Sequence, residues 1–356
     1  MSRKRTFFIV LGAAAVVAAA PGMPATAASS PPRIGACNPG LGIGLADVPG
    51  GVRDPRARAY VVDHVQPGAR FTRRFRVCNG TQQPITVKLY AGAAAIVRGA
   101  FTIAEGRIAN DLSSWITVAP AAVTVPSGQE RFATAAFAVP ANATGGERYA
   151  VILAELPARP TSSGVAVASR IGIRVYLDVG GPQAPKSDFT VDTLQASRRA
   201  DGTAVVTAQV HNTGARALDM RGSLTLRDGP DGLSAGPYPA TLGTTLAPGQ
   251  TEPVTVVLGR SITGGPWTAR LTLTSGLLER RAEGRLTFPA AAGVSTPPVK
   301  AENIPLAKDK RVLVPLAIGL IGIVLLLLFS LWLFAKLRSR RREKDEDVDA
   351  RRAAAQ

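Results

Sequence analysis

The sequence Phe71-Thr72-Arg73-Arg74-Phe75-Arg76-Val77 has apolar residues at alternate positions, the pattern of a β-strand with one buried face. Alternate side chains of an extended strand lie on the same face of a sheet, so both phenylalanines and the valine are predicted to point into a core. Turn-forming residues flank the stretch, with Gln66-Pro67-Gly68 before it and Asn79-Gly80 after it. The pattern predicts one strand of an antiparallel sheet.

Short apolar runs separated by turn residues continue over positions 34–288, and no amphipathic helix of ten or more residues stands out. Gly180-Gly181-Pro182, followed by Pro185, divides these runs into two groups. Many short strands with turns between them are typical of antiparallel sandwiches. The sequence therefore predicts an all-β fold with two tandem immunoglobulin-like β-sandwiches, domain 1 at residues 29–180 and domain 2 at residues 186–288.

Two apolar segments predict export and anchoring. Residues 1–28 combine a basic start, an apolar run and small residues at the end, which is the pattern of a cleaved signal peptide. Residues 312–335 carry no charge, and as a helix of about 36 Å they exceed the ~30 Å hydrocarbon core of a bilayer. A basic tail at 336–356 predicts a cytoplasmic C-terminus. We expect a single-pass protein of the cell membrane, with one C-terminal transmembrane α-helix and an extracytoplasmic bulk on an Ala/Pro/Lys-rich stalk at 289–311.

The chain is strongly basic, with a formal net charge of +17. A positive exterior favours polyanionic surroundings such as phosphate-rich wall polymers, and an arginine-rich coding bias is the alternative explanation. Nucleic acid is a poor candidate, because the chain is predicted to be exported and its aromatic content is 5%. The two cysteines, Cys37 and Cys78, are predicted to form a disulfide in an oxidising compartment.

A set of motifs spread over nearly the whole chain carries a family resemblance. These motifs are Gly42-Ile43-Gly44-Leu45, Val65-Gln66-Pro67-Gly68-Ala69, Val77-Cys78-Asn79-Gly80-Thr81, Ser114-Trp115-Ile116, Val125-Pro126-Ser127-Gly128-Gln129, Val139-Pro140, Gly145-Gly146-Glu147-Arg148-Tyr149-Ala150, Val210-His211-Asn212-Thr213-Gly214, Leu246-Ala247-Pro248-Gly249-Gln250 and Gly265-Pro266-Trp267. Together they resemble the WxL-interacting proteins of Gram-positive bacteria, in their actinobacterial form. The chain has no Trp-x-Leu motif, so it resembles the binder of such proteins.

The resemblance implies a non-enzymatic, membrane-anchored protein of the cell surface. Its domain 1 would bind peptidoglycan or an anionic wall polymer, and its domain 2 would present a face to a secreted surface protein. An alternative is an extracytoplasmic chaperone or adaptor that offers a sheet edge to a secreted surface protein by β-strand addition. A membrane-linked sensor or a wall hydrolase is a further rival.

Three residues are the candidate contacts with the wall or with a partner. Arg74 and Arg76 are predicted to point outward, where they would hold phosphates or carboxylates, although a solvated face is the more ordinary role. Trp267 follows Gly264-Gly265-Pro266 at a strand entrance, where an exposed indole would anchor a ligand and a core position is equally compatible. Trp115 is predicted to lie in a core because Ile116 and Val118 accompany it.

No motif predicts catalysis, a metal site or a cofactor. His64 and His211 lie in different predicted domains, and neither has a nucleophile in a recognisable local motif. The segment Asp228-Gly229-Pro230-Asp231-Gly232 lacks the alternating acids and closing Glu of a Ca²⁺ loop and is predicted to be a turn. We therefore expect a binding protein and not an enzyme.

Overall fold

The computed structural model of the protein describes residues 39–48, 50, 54–160, 166–305, 326 and 329–330. Within these ranges most residues lie in β-strands, which confirms the prediction of an all-β fold. The buried apolar side chains form two main cores, one between residues 45 and 179 and the other between residues 189 and 301. We call residues 39–180 the N-terminal half and residues 181–305 the C-terminal half.

In the N-terminal half, ten strands and one short helix surround the first core: β1 (Leu41–Leu45), β2 (Val61–Val65), β3 (Arg70–Asn79), β4 (Ile85–Val97), β5 (Ala100–Ile103), α1 (Asp111–Ser114), β6 (Ile116–Ala119), β7 (Ala122–Val125), β8 (Glu130–Ala138), β9 (Gly146–Pro160) and β10 (Ala166–Val179). A four-stranded sheet has the order β1-β3-β8-β6. A six-stranded sheet has the order β2-β10-β9-β4-β5, and β7 also pairs with β4. Side chains of both sheets meet in the same core.

The C-terminal half contains eleven strands: β11 (Phe189–Arg198), β12 (Ala204–Asn212), β13 (Leu218–Asp219), β14 (Arg221–Arg227), β15 (Ala235–Pro239), β16 (Thr245–Leu246), β17 (Thr251–Gly259), β18 (Trp267–Ser275), β19 (Leu278–Leu286), β20 (Val299–Lys300) and β21 (Glu302–Ile304). They form a four-stranded sheet in the order β17-β12-β11-β20, a five-stranded sheet in the order β15-β14-β18-β19-β21, and the pair β13-β16. The second core lies between the two larger sheets.

The alternating residues 71–77 lie in β3, as predicted. Phe75 and Val77 are fully buried in the first core. Phe71 is half-buried, and its ring stacks on that of Phe137 with 4.4 Å between the centroids. The intervening Arg74 is exposed on the opposite face. The period-two pattern therefore gives the correct orientation of this strand.

A buried asparagine organises one end of the N-terminal half. The Asn79 N–H donates to the Gln129 carbonyl oxygen at 3.0 Å. Its side-chain Nδ2 donates to the carbonyl oxygens of Gln83 and Val125, at 2.8 and 3.0 Å. These bonds hold together the end of β3, the turn that follows it and the turn before β8.

The same arrangement recurs in the C-terminal half around Asn212. Its N–H donates to the Gln250 carbonyl oxygen at 2.9 Å. Its Nδ2 donates to the carbonyl oxygens of Arg216 and Leu246, at 2.9 and 3.2 Å. Both side chains are fully buried, so Asn79 and Asn212 hold equivalent positions in the two halves.

The end of the C-terminal half differs from the sequence prediction. Residues 299–304 fall in the predicted extended stalk, but they form β20 against β11 and β21 against β19. Ala301, between these two strands, is only 4% exposed because it packs in the second core. The segment therefore covers the side of the second core between two edge strands. Its Ala/Pro/Lys-rich composition does not indicate this role.

The predicted location, a single-pass protein of the cell membrane with a cytoplasmic C-terminus, is wrong on the structural findings. Among the residues that the structure describes, no helix has the length and apolar character needed to cross a bilayer. The helix α1 has four residues, and a helix of that length spans only ~6 Å. Of the segment 312–335, only Leu326, Phe329 and Ser330 belong to the described residues.

Candidate functional site

The candidate site is the free edge of β10. On one side, β10 pairs with β9 from Ala166 to Val179. On the other side, β2 pairs with it only from Val175 to Val179, in parallel. Between Ala166 and Arg174, none of the described strands pairs with this second side. A long strand is thus half covered and half open along one edge.

The open side carries backbone groups that no described strand pairs with. The Gly180 N–H donates to the Val65 carbonyl oxygen at 2.9 Å, so the backbone at position 180 faces β2. Backbone groups alternate in direction along a strand, and the pairing register is regular from Ser169 to Val179. The N–H and C=O groups of Arg170 and Gly172 therefore point toward the open side, where they can pair with an added strand.

An apolar surface lies on the inner side of this edge. Ile173 is 2% exposed in the first core, whereas the next inward residue, Ile171, is 37% exposed. Leu41 and Ile43 of β1, which contacts β10 from the other sheet, are half-buried against the same core. Inward side chains of an added strand would extend this core.

A row of charged residues crosses the outer side of the sheet. Lys88 on β4 lies opposite Glu155 on β9, and Glu155 lies opposite Arg170 on β10. The Tyr90 hydroxyl donates to Glu155 Oε2 at 2.5 Å, and Arg107 Nη2 lies 3.3 Å from Oε1. The Tyr90 hydrogen bond and the Arg107 charge hold the pKa of Glu155 below its usual range, so this carboxylate stays ionised.

The loop that follows β5 packs against this row of charged residues through contacts of two arginines. The guanidinium carbon of Arg107 lies 4.3 Å from the centroid of the Tyr90 ring. Arg170 Nη1 donates to the Gly106 carbonyl oxygen at 2.9 Å. The guanidinium of Arg170 thus stays on the outer side of the sheet, beside the loop that follows β5.

A second polar cluster lies between the two halves, centred on Asp219. Its Oδ1 accepts hydrogen bonds from the Tyr176 hydroxyl at 3.0 Å, from Arg174 Nη1 at 3.2 Å and from the Thr245 hydroxyl at 2.9 Å. Burial raises the pKa of Tyr176 far above its usual value, and the charge of Asp219 adds to the shift. Tyr176 therefore acts as a neutral donor across the junction.

Glu147 forms a second contact between the halves. Its Oε2 accepts a hydrogen bond from the Ala217 N–H at 2.5 Å and another from the Tyr149 hydroxyl at 3.0 Å. Arg216 Nε lies 3.5 Å from Oε1. Burial raises the pKa of Glu147 above its usual value even though these partners favour the charged form. All of these groups have partners, so the junction stabilises the arrangement of the halves.

The predicted contacts Arg74 and Arg76 lie on the outer face of the four-stranded sheet, whereas β10 belongs to the other sheet. Arg74 is exposed, lies 3.6 Å from Asp47 and has its guanidinium carbon 5.1 Å from the centroid of the exposed Phe132 ring. Arg76 pairs with Glu130 at 2.9 Å. Contact of these arginines with a wall or a partner stays a prediction.

The prediction that Trp267 contacts the wall or a partner is wrong. Its side chain lies in the second core, is 2% exposed and offers no surface to a ligand. Its Nε1–H donates to the Thr263 carbonyl oxygen at 3.1 Å. The ring fills the space above Gly229, where an added Cβ would lie 2.3 Å from it. Trp115 is half-buried against the first core, as predicted, with the Arg148 guanidinium 5.2 Å from its ring.

The side-chain partners of the two histidines are a carboxylate and a threonine hydroxyl. His64 bonds Asp178 across the β2–β10 pair, and His211 bonds the Thr251 hydroxyl at 2.8 Å. No group of three or more His, Cys, Asp or Glu side chains suited to a metal occurs in the described ranges. Cys78 takes part in a disulfide. Cys37 lies outside the described residues, so their pairing stays a prediction.

Comparisons with known proteins add a likeness to bacterial chaperones. Neither a protein-family model nor a curated protein sequence matches the chain. The YadV chaperone has a TM-score of 0.36 and 12% identity, and the match covers 69% of this chain and 99% of that one. The SafB chaperone of Salmonella enterica, solved with the SafA pilin, has a TM-score of 0.37 and 10% identity, covering 70% and 97%. The E. coli chaperone DraB has a TM-score of 0.35 and 12% identity, covering 64% and 95%. These similarities are too low to support an argument about function.

Proposed function

We propose that the protein is a chaperone or adaptor that binds an extended segment of a secreted surface protein by adding it as a strand to the free edge of β10. The observation that carries this proposal is that Arg170 and Gly172 have backbone groups with no partner strand in the described ranges, beside an apolar inner surface. Main-chain hydrogen bonds supply affinity in strand addition, and pockets for alternate side chains supply specificity. At this edge the backbone groups of Arg170 and Gly172 can supply the hydrogen bonds, and the apolar surface that includes Ile171 can receive inward side chains.

The chain's own C-terminal half supports the proposal, because a short segment adds to a strand edge there. β21 pairs antiparallel with β19, the last long strand of its half, as β10 is of the N-terminal half. The Asn303 side chain also binds both the N–H and the C=O of Val191, at 3.0 and 2.8 Å. In the C-terminal half the position beside β19 is filled by β21, whereas the corresponding position beside β10 is open among the described residues.

We also infer that each half is an immunoglobulin-like β-sandwich. The equivalent positions of Asn79 and Asn212 support this inference, since the same local motif fixes both halves. The resemblance to WxL-interacting proteins stays a prediction. Wall binding is the weaker hypothesis, because Arg74 and Arg76 each have an acidic neighbour, Asp47 and Glu130.

The test compares two substitutions at one position of the full chain. Arg170→Pro removes the N–H on the open side, and Arg170→Thr removes the same side chain but keeps that N–H. The probe is a short fluorescein-labelled peptide with valine at alternate positions and threonine between them, measured by fluorescence anisotropy. We expect Arg170→Thr to keep binding and Arg170→Pro to weaken it about ten-fold or more. Equal binding by the two variants, or no binding by the unsubstituted chain, contradicts strand addition.

A further inference from the structure

We infer that the segment received by β10 carries an acidic residue opposite Arg170, with apolar residues immediately before and after it. This inference rests on the proposed strand addition and specifies the chemistry of the partner. Three observations support it: the order of charges across the sheet, the balance of charge around Arg170, and the apolar rows on either side.

The order of charges alternates strand by strand. The row begins with the cation Lys88, continues with the anion Glu155 and ends with the cation Arg170. Side chains directly opposite each other on neighbouring strands lie close enough to interact, and opposite charges there are favourable. An added strand supplies the next position of the row, where an anion continues the alternation.

The balance of charge around the row also favours an acidic residue on the added strand. Three cations, Lys88, Arg107 and Arg170, surround the single carboxylate of Glu155 in the sheet. Glu105, on the loop beside Gly106, is exposed and forms no ion pair with another described residue. The positive charge at the edge is therefore only partly compensated, and a carboxylate from a partner would meet Arg170 at little cost of desolvation.

The neighbouring rows are mainly apolar. Leu89, Ala154 and Ile171 lie opposite one another on β4, β9 and β10, and the exposed Ile171 ends this row. On the other side of Arg170, Ser169 lies opposite Leu156, which packs against the first core. A residue added beside either position faces inward, so apolar side chains fit there. The preferred segment is therefore apolar–acidic–apolar, a pattern that reads the same in either chain direction.

The experiment uses three peptides and three forms of the full chain. The peptides have valine at alternate positions and differ only at one central site between two valines, which is aspartate, asparagine or lysine. The protein is unsubstituted, Arg170→Glu, or Arg285→Glu. Arg285 is an exposed strand arginine of the C-terminal half, so its substitution makes the same charge change away from β10.

For the unsubstituted chain and for Arg285→Glu, we expect the aspartate peptide to bind about two- to five-fold more tightly than the asparagine peptide, and the lysine peptide to bind most weakly. For Arg170→Glu, the order reverses. An order that is unchanged in Arg170→Glu, or equal affinities for all three peptides, overturns this inference and leaves strand addition standing. Failure of every peptide to bind the unsubstituted chain overturns strand addition, and this inference with it.

Discussion

His64 Nδ1 lies 2.5 Å from Asp178 Oδ2, directly across the parallel pair of β2 and β10. The other ring nitrogen, Nε2, lies 2.8 Å from the Gly181 carbonyl oxygen, which can only accept a hydrogen bond. The ring therefore links three points: β2, the end of β10 and the chain just beyond it. This link lies on the covered part of the β10 edge, where β10 pairs with β2 from Val175 to Val179.

Replacement of Asp178 by alanine should destabilise the protein substantially. Asp178 is 3% exposed, and its loss leaves His64 without its carboxylate partner. Removal of one member of a buried pair costs about 3–5 kcal/mol. Urea unfolding of the full chain measures the change. Asp47→Ala is the control, because it removes an exposed ion pair of the same half and should cost about 1 kcal/mol or less. Equal losses for the two variants contradict a structural role for the pair.

Amide hydrogen exchange should alternate along the open part of β10. The N–H groups of Ile171 and Ile173 face β9, so they should exchange slowly, whereas those of Arg170 and Gly172 face the open side and should exchange rapidly. NMR-detected exchange of the full chain resolves these four positions. Saturation with the valine–threonine peptide should protect Arg170 and Gly172 alone. Slow exchange of all four amides in the free protein would contradict an open edge at this part of β10.

The sequence predicts strands better than it predicts sheet edges. The alternation around Phe75 and Val77 sufficed to orient β3, because the signal lies within one strand. Lys88, Glu155 and Arg170 are brought into one row only by the pairing of three strands, and no local pattern reveals it. Whether β10 is covered likewise depends on where β2 begins. The residues Ile171-Gly172-Ile173-Arg174 show the strand but not its free side.

Local sequence is insufficient at two other places. Residues 299–304 look like a linker, yet the small side chain of Ala301 fits between two edge strands and allows the segment to fold. Trp267 was compatible with an edge or a core position. Its burial depends on Gly229, which lies 38 positions earlier and leaves room for the ring. Contacts between residues so far apart in the chain leave no signal in a single sequence.

Replacement of Glu147 by glutamine should change how stability depends on pH. Burial raises the pKa of Glu147 above its ordinary value of 4.5, so the folded protein keeps this proton at a pH where the unfolded chain has lost it. The stability linked to this proton is complete below about pH 4.5 and is lost as pH rises through the raised value. Glutamine avoids that loss. The free energy of unfolding of Glu147→Gln, relative to the unsubstituted chain, should therefore increase between about pH 4 and about pH 7.

Denaturant titrations at a series of pH values measure this difference. The pKa of Asp54 shifts in the opposite direction to that of Glu147. Burial opposes its ionisation, but the hydrogen bond and charge of Arg56 outweigh burial and hold the pKa of Asp54 below its usual value. Its contribution is lost as pH falls, and it cancels because both proteins contain it. If the difference in free energy of unfolding between Glu147→Gln and the unsubstituted chain is the same at every pH, the pKa of Glu147 is not raised.

Replacement of Asp219 by alanine should uncouple the two halves. The substitution leaves the Tyr176 hydroxyl and the Thr245 hydroxyl without their shared acceptor, and it removes a partner of Arg174. Each half has its own core, so weakening the junction allows one half to unfold before the other.

We expect the full chain to unfold in one transition and Asp219→Ala to unfold in two, with the first at lower temperature. Differential scanning calorimetry distinguishes the cases. Asp201→Ala removes an exposed pair with Arg260 and a hydrogen bond from the Thr203 N–H, both within the C-terminal half, so it should leave a single transition. A single, unshifted transition for Asp219→Ala means that the apolar cluster of Val62, Ile96, Tyr176 and Ala217 holds the halves together without the carboxylate.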